Sequence, residues 1–561
     1  MENSKTSDRS RLINITVFAA ALVASVLVCV IPYFSDGLPG HFVDTVYFLE
    51  RVEGLRDSIA AHDLFPGIYP RFFGGYGYAT PLFYSDIFVI PCALLRLAGF
   101  SATQSFKLFV MFLVTVNFTV SFFSYRFITK DKIAALFGSV VTVTSVYQIW
   151  EITQRVGVGT YIAMIFLPVL AAALWDFFKE EGKRSYLFVM AFSGILLSHS
   201  ITVFLSVIIC VIIFAVVLFV PGLRKKAYTA QKIGRLALYA VMTVLVMAFY
   251  LFPMVEQMMS GKFGYSNPLV NVGDFVAPFK SIFSATATVS EYTGYIGLGY
   301  ALWLSVGASL LIAFMHRKAS VGTVLAVAGV VVAVAVTRVF PWKLFNDTFL
   351  NNIQFSFRLF PFVVLIVVTG TVLSLGGLEE RDRTIFAAVI AVVSIGFGAW
   401  QNHDVEIEDI TKNLTQEFLD GEGTMYVGMG QEWLPVEVDV MQLSEKCVRS
   451  GDESFELENP GYNIYQFSDP EGGHTEYTVP LIYYKGYEAY LREENDEGPV
   501  LSVRKGQNGL LTVENKEGLP GEVYIIYRKT PVNRISSAIS FISVIVLIVF
   551  VSVKKKKDQS I

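Results

Sequence analysis

The chain has 561 residues, of which 53% are hydrophobic, 14% aromatic and only 16% charged, with a mean hydropathy of +0.53. That balance excludes an ordinary soluble domain and marks a polytopic integral membrane protein. The formal net charge of -4 argues against nucleic acid as a partner, and the 4 cysteines suggest neither a disulfide framework nor a cysteine metal site, because Cys29, Cys92 and Cys210 lie in apolar runs and Cys447 stands alone.

The first apolar run, from Leu12 to Tyr33, follows Lys5, Arg9 and Arg11. It is long for a secretory h-region and lacks a small-residue cleavage site, so a retained signal anchor is expected. HFVDTVYFLERVEGLRDSIAAHD, His41 to Asp63, comes next. A helix over Phe42 to Ala61 would turn Phe42, Val46, Leu49, Val52 and Ile59 toward lipid or a neighbouring helix and place Asp44 and Arg51 on one side. The two charges read either as the wetted face of an interfacial helix or as functional groups near membrane depth, where ionisable side chains are costly. GIYPRFFGGYGYATPLFYSD follows, with Tyr69, Arg71, Tyr76 and Tyr78. Aromatic rings beside a cation suit a sugar ring or a phosphate headgroup, and they also suit a plain interfacial belt.

Further apolar runs begin near Pro81, Ser105, Ile133, Thr160, Tyr186, Ile201, Leu236, Tyr295, Val321, Leu359, Ile385 and Ile535. That makes roughly thirteen candidate spans. Loops rich in Lys and Arg, at 126–132, 179–184, 224–235, 316–318 and 381–383, and the tail Lys554 to Lys557 are expected in the cytoplasm. Both termini inside demand an even number of crossings, and the run Pro81 to Gly99, which carries Asp86 and Pro91, is the one expected not to cross.

Three more polar stations lie at the ends of apolar runs. In VYQIWEITQRVGVGTY, Glu151 and Arg155 form an i,i+4 pair, a helix-end salt bridge in the plainer reading. In GILLSHSITVF, His199 sits between two serines at a hairpin turn, as a hydrogen-bonded turn residue or a base. In NNIQFSFRLFPF, Arg358 heads a late helix, placed to grip a lipid-linked phosphate or to snorkel to headgroups. From Gln401 to about Arg534 the apolar fraction falls and period-2 stretches such as EYTVPLIYYKGYEAYL, GLLTVENKEG and GEVYIIYRK appear. This block reads as an extracytoplasmic β-rich domain, tied back to the membrane by a helix from Ile535 to Val553. The expected divisions are therefore 1–400, with a first extracytoplasmic loop at 35–80, then 401–534 and 535–561. The Asn413-Leu414-Thr415 sequon is too common a pattern to decide anything.

The residues Asp44-Thr45, Arg51 to Leu55, IYPRFFGGYGYATPLFYSD, LPV at Leu167, LLSHS at His199, IQFSFR, QEWLPV and VPLIYYKGYEAY together resemble the bacterial YfhO-like membrane proteins, often labelled 6-pyruvoyl-tetrahydropterin-synthase-related. That family is in turn similar to GT-C glycosyltransferases. The resemblance implies a GT-C-like bundle of about 12–13 helices in the cell membrane, a polyprenyl-phosphate sugar as donor, and an envelope polymer or glycolipid as acceptor among membrane lipids. It also implies an acidic residue in the first large outer loop, a position Asp44 matches; the paired acid common in GT-C enzymes is missing, with Glu50 the next acid downstream. In that chemistry Asp44 is the expected base, Glu151 a second acid that orients the acceptor or helps hold a divalent cation, and Arg51, Tyr69, Arg71, Tyr76, Tyr78, Arg155, His199 and Arg358 the expected substrate-binding groups. A transporter or lipid flippase, or an envelope assembly scaffold, is the alternative that many helices, intramembrane charges and an outer domain would also fit.

Overall fold

The computed structural model describes residues 2–559 apart from 267–269, 291–292, 404, 406, 408, 413, 429–430 and 494–495. Asn413 of the sequon, and the side chains of Lys5, Arg9, Arg11 and the Lys554 to Lys557 tail, lie outside the described residues. The helices that matter here run in chain order as α1 (Glu2–Val30), α2 (Phe42–Ala60), α3 (Ile90–Leu97), α4 (Ala102–Thr129), α5 (Lys132–Val143), α6 (Val146–Thr153), α7 (Val158–Phe178) and α8 (Tyr186–Leu196). They continue as α9 (Ser200–Leu218), α10 (Ala230–Val246), α11 (Ala248–Ser260), α12 (Gly299–Met315), α13 (Val321–Ala335), α14 (Phe360–Leu375), α15 (Glu380–His403) and α16 (Pro531–Gln559).

This is a multi-pass helical membrane protein with a C-terminal β-rich domain. Its spans are fewer than the run lengths suggested: among the described residues 7 helices are long and apolar enough to cross a bilayer, and up to 9 if the bent pairs α5–α6 (44°) and α10–α11 (71°) each count once. The runs at Tyr186, Tyr295 and Val321 give α8, α12 and α13 of 11, 17 and 15 residues, short of the roughly 20 a perpendicular helix needs. The run from Pro81 holds the end of a single helical turn, Thr80–Phe83, and the 8-residue α3, both far too short to cross.

Two compact units emerge, one of residues 1–45, 106–243 and 270–413, the other of 46–105, 244–269 and 414–561. In the first, α13 and α14 meet through small residues: a Cβ added to Gly370 would fall 2.5 Å from the Ala326 backbone nitrogen, and one added to Gly322 2.4 Å from the Gly370 carbonyl oxygen. Such contact substitutes for the hydrophobic drive that lipid removes. Polar bonds add to it, with Ser309 Oγ on Thr371 Oγ1 at 3.2 Å and Thr144 on Ser394 at 2.7 Å. The α5–α6 break falls in TVTSVYQ, where Thr and Ser side chains compete for backbone bonds. Ser145 is extended there, and the amide of Gln401 donates to the Val146 carbonyl at 3.2 Å. The break is what aims α6, and Glu151 on it. A short hairpin of β1 (Ala287–Ser290) and β2 (Thr293–Ile296) precedes α12.

The second unit carries β3 (Cys447–Ser450), β4 (Glu453–Glu456), β5 (Glu458–Gly461), β6 (Ile464–Asp469), β7 (Glu476–Ile482), β8 (Tyr487–Glu493), β9 (Asp496–Lys505), β10 (Leu510–Glu514) and β11 (Gly521–Tyr527). They pair antiparallel in the order β4-β3-β7-β10-β9-β8-β11-β6-β5. Alternation sets the faces, with Val523 and Ile525 of β11 fully buried. The long β9 serves two neighbours, pairing β8 through Val500 and Leu501 and β10 through Ser502 to Lys505. The strand at one end of the order, β4, also packs across a seam, with Phe455 on Phe467 of β6 at 5.9 Å and on Tyr477 of β7 at 5.8 Å.

His474 fastens that seam. Its Nδ1 bonds Asp469 at 2.8 Å, its Nε2 faces Glu453 of β4 at 3.5 Å, and the Tyr477 hydroxyl donates to the same Asp469 oxygen at 2.6 Å. The Asp469 hydrogen bond, with the charges of Asp469 and Glu453, holds the His474 pKa above its ordinary value. Burial pushes the Asp469 carboxyl up, but the bonds from Tyr477, His474 and the Gly472 N–H outweigh it and leave the pKa lowered. The imidazole therefore stabilises the fold fully below about pH 6.5 and loses that effect as pH rises through its raised folded pKa; the carboxylate stabilises above about pH 3.9 and loses it as pH falls. Thermal unfolding of the full chain in micelles should show the seam strongest between those values, and His474→Gln should flatten the decline from pH 6 to 8; an identical decline in both proteins would remove His474 as its cause.

Candidate active site

The first unit gathers five of the expected residues. The turn into α2 is the starting point: Gly40 has φ +99°, and a Cβ there would fall 2.1 Å from Val156 Cγ2. The His41 N–H donates to the Gln154 carbonyl at 2.9 Å, so the head of α2 is pinned to the loop after α6. Asp44, in the first turn of α2, thereby comes to face Arg155, and its negative charge suits a helix N-terminus. In that loop Val156 itself holds φ +56°, an uncommon conformation for a β-branched residue and a mark of local strain.

Arg155 is held on three sides. Its Nη1 donates to Glu151 Oε1 at 2.7 Å, and its guanidinium lies 5.9 Å from the Trp150 ring centroid and 5.5 Å from that of Phe357. Gly157 makes the pair possible, because a Cβ there would fall 1.9 Å from Glu151 Oε1. Gly157→Ala should therefore cost about 1–3 kcal/mol of stability in thermal unfolding, and a Glu151→Ser partner substitution should recover part of the loss. Equal melting of Gly157→Ala and wild type would contradict that packing.

Arg358 sits on a single 3₁₀ turn, Ser356–Leu359, just ahead of α14, and is buried. Its guanidinium lies 5.5 Å from the Phe355 ring centroid. His199 caps α9, with Nδ1 accepting from the Thr202 N–H at 3.3 Å, which leaves the proton of the neutral ring on Nε2. Burial, then Arg358 and Arg155, keep the His199 pKa well below the ordinary value. Asp44 remains half-open to solvent while protein packs around it. Burial raises its pKa, against the pull of Arg155, His41 and Arg358. A half-buried carboxylate with two guanidinium groups acting on it can take a proton from a hydroxyl beside a site that favours anions.

The remaining expected residues belong to the second unit and are absorbed by protein contacts. Arg51 pairs with Asp86, both buried, and Tyr69 donates to the other Asp86 oxygen at 2.7 Å. Arg71 spans Glu50 at 2.7 Å, Asp57 at 3.1 Å and Asp420 at 3.1 Å. The Tyr76 hydroxyl donates to the Glu445 carbonyl, and the Tyr78 hydroxyl accepts from the Trp433 N–H at 3.1 Å. Tyr69, Tyr76 and Tyr78 are at most 1% exposed. These five tie a loop together through contacts within the protein. Glu151 Oε1 accepts from Arg155, which positions that guanidinium.

The divalent cation expected as a partner of Glu151 does not fit. Among the described residues no group of three or more His, Cys, Asp or Glu side chains could hold a metal ion, and the groups around Asp44 are mostly cationic. Sequence reasoning passed over His41, Tyr147, Trp150, Phe357 and Gly157. Tyr147, Trp150 and Glu151 share one face of α6 by their i, i+3, i+4 spacing, a signal that was present in VYQIWEITQR.

Residues 2–319 match the family described as "Family of unknown function (DUF6541)". The chain belongs to the DUF6541 family. Asp44, Glu151, Arg155 and His199 lie within the matched part of this DUF6541 protein and Arg358 beyond it. A relative of the DUF6541 chain, an "Uncharacterized protein" of Lactococcus lactis subsp. cremoris (strain MG1363), is 21% identical over 92% of this chain and 93% of its own length. Among solved structures, the arabinofuranosyltransferase AftD from Mycobacteria aligns with a TM-score of 0.40 and 14% identity over 70% of this chain. The DUF6541 chain spans about a quarter of AftD, 27% of its length, and a likeness at that score carries no argument about chemistry.

Proposed function

We propose that the protein is a membrane glycosyltransferase that moves a sugar from a polyprenyl-phosphate donor to a cell-envelope acceptor on the outer face of the membrane. One observation carries this reading: a half-open carboxylate, Asp44, stands with Arg155 and Arg358 acting on it. On this reading Asp44 supplies the base, and Arg155 and Arg358 supply the cations.

In the reaction Asp44 takes the proton of an acceptor hydroxyl as the oxygen attacks the anomeric carbon. The bond from that carbon to the lipid phosphate breaks, and the electron pair leaves with the phosphate oxygen. Guanidinium groups stabilise that charge as it grows. Arg358 and Arg155 serve this role, with Glu151 fixing the second. A single displacement inverts the anomeric configuration. The GT-C resemblance of the sequence supports the same reading.

The test is transfer of radiolabelled sugar from a panel of polyprenyl-phosphate sugars into envelope lipids and polymers by purified protein in lipid. Transfer with inversion is expected for at least one donor. A folded protein that transfers from none of them ends this reading.

A further inference from the structure

Trp150 is a buried polar group beside Arg155 that the mechanism leaves unused. It is 2% exposed, and among the described residues its Nε1 has no hydrogen-bond partner. A buried indole N–H normally finds an acceptor, and leaving one without a bond is costly, more so where lipid replaces water. Its apolar surroundings do not need the nitrogen: the ring packs on Tyr147 at 5.6 Å and edge-on to Phe357 at 5.4 Å, contacts that phenylalanine would also make.

The charges beside it point to the missing acceptor. Arg155 lies over the Trp150 ring and commits Nη1 to Glu151, while its planar fork carries further donors. Tyr147 feels the fields of both Arg155 and Arg358. An anion with several oxygens is a ligand that N–H donors next to a guanidinium group can hold.

We propose that the Trp150 indole N–H donates to a phosphate oxygen held by Arg155, making Trp150 a specificity-determining residue for a phosphate ester. This rests on the donor assigned above, and it is tested by binding, apart from transfer.

The probes are dodecyl phosphate and inorganic phosphate, titrated into the full-length protein in micelles. Trp150→Phe keeps the ring and its packing while deleting the donor. It should weaken dodecyl phosphate binding about 10- to 100-fold and melt no lower than wild type without ligand, since the substitution removes an unbonded donor. In the wild type labelled at indole nitrogen, one of the 6 tryptophan N–H resonances should move downfield as dodecyl phosphate binds, a readout independent of the variant. Tighter binding of dodecyl phosphate than of inorganic phosphate identifies a lipid headgroup as the source, and equal binding a soluble phosphate. Equal affinities in the two proteins, or a ligand-free variant that melts well below wild type, overturn the assignment. Phosphate binding that depends on Trp150 in a protein without sugar transfer would leave this inference in place and remove the glycosyltransferase.

Discussion

Replacing Asp86 with alanine is expected to cost about 3–5 kcal/mol of stability, the scale for removing one partner of a buried ion pair. The Asp86 and Arg51 side chains are 4% and 6% exposed. Arg51 is enclosed further by two rings, with its guanidinium 4.1 Å from the Tyr84 centroid and 5.7 Å from that of Tyr47. Alanine would leave that cation buried without its counter-charge and would strand the Tyr69 hydroxyl, which donates to Asp86 at 2.7 Å. A double substitution, Arg51→Met with Asp86→Leu, should recover most of the loss, because well-packed apolar residues often replace a buried pair at little cost. Chemical unfolding of the full chain in micelles measures both. A loss below about 1 kcal/mol for Asp86→Ala would give this pair only the weight of a surface bridge.

Asp44→Asn is expected to lower sugar transfer by two to four orders of magnitude, the range for removing a general base. The asparagine keeps the shape of the side chain, so melting should change little. The wild-type rate should rise with pH through the Asp44 pKa, since the ionised form accepts the proton. Burial sets that pKa above the usual carboxylate value, against Arg155, His41 and Arg358. The acid limb of the profile should therefore lie above about pH 3.9 and vanish in Asp44→Asn. An unchanged rate in the variant would take the base role from Asp44.

How much of this was legible follows from what each feature depends on. Apolar runs and period-2 alternation are local, so the multi-pass helical region and the β-rich block could be read directly. Helix ends are less so. The run near Tyr295 contains Gly299, which takes φ +69° at the start of α12, and hydropathy does not show such a turn. Asp44, Glu151, Arg155, His199 and Arg358 stood out as charges at the margins of apolar runs, and the fold brings them into one unit. Arg71 stood out as the cation of an aromatic, glycine-rich loop, and one of its partners, Asp420, lies far along the chain. Sequence distance hides such pairings, and a cation that completes a loop looks the same in sequence as one that awaits a ligand.

The strand order of the β-rich domain also governs when it can fold. Ile464 of β6 pairs with Ile526 of β11, so half of this ladder waits for the last strand to leave the ribosome. Pairings that distant close slowly, on the millisecond-to-second scale of all-β domains. During synthesis β6 therefore remains open at one edge until β11 arrives, just ahead of α16. A chain stopped before Gly521 would keep that edge exposed, and a ribosome pause between β10 and β11 would prolong the interval in which it is prone to aggregate.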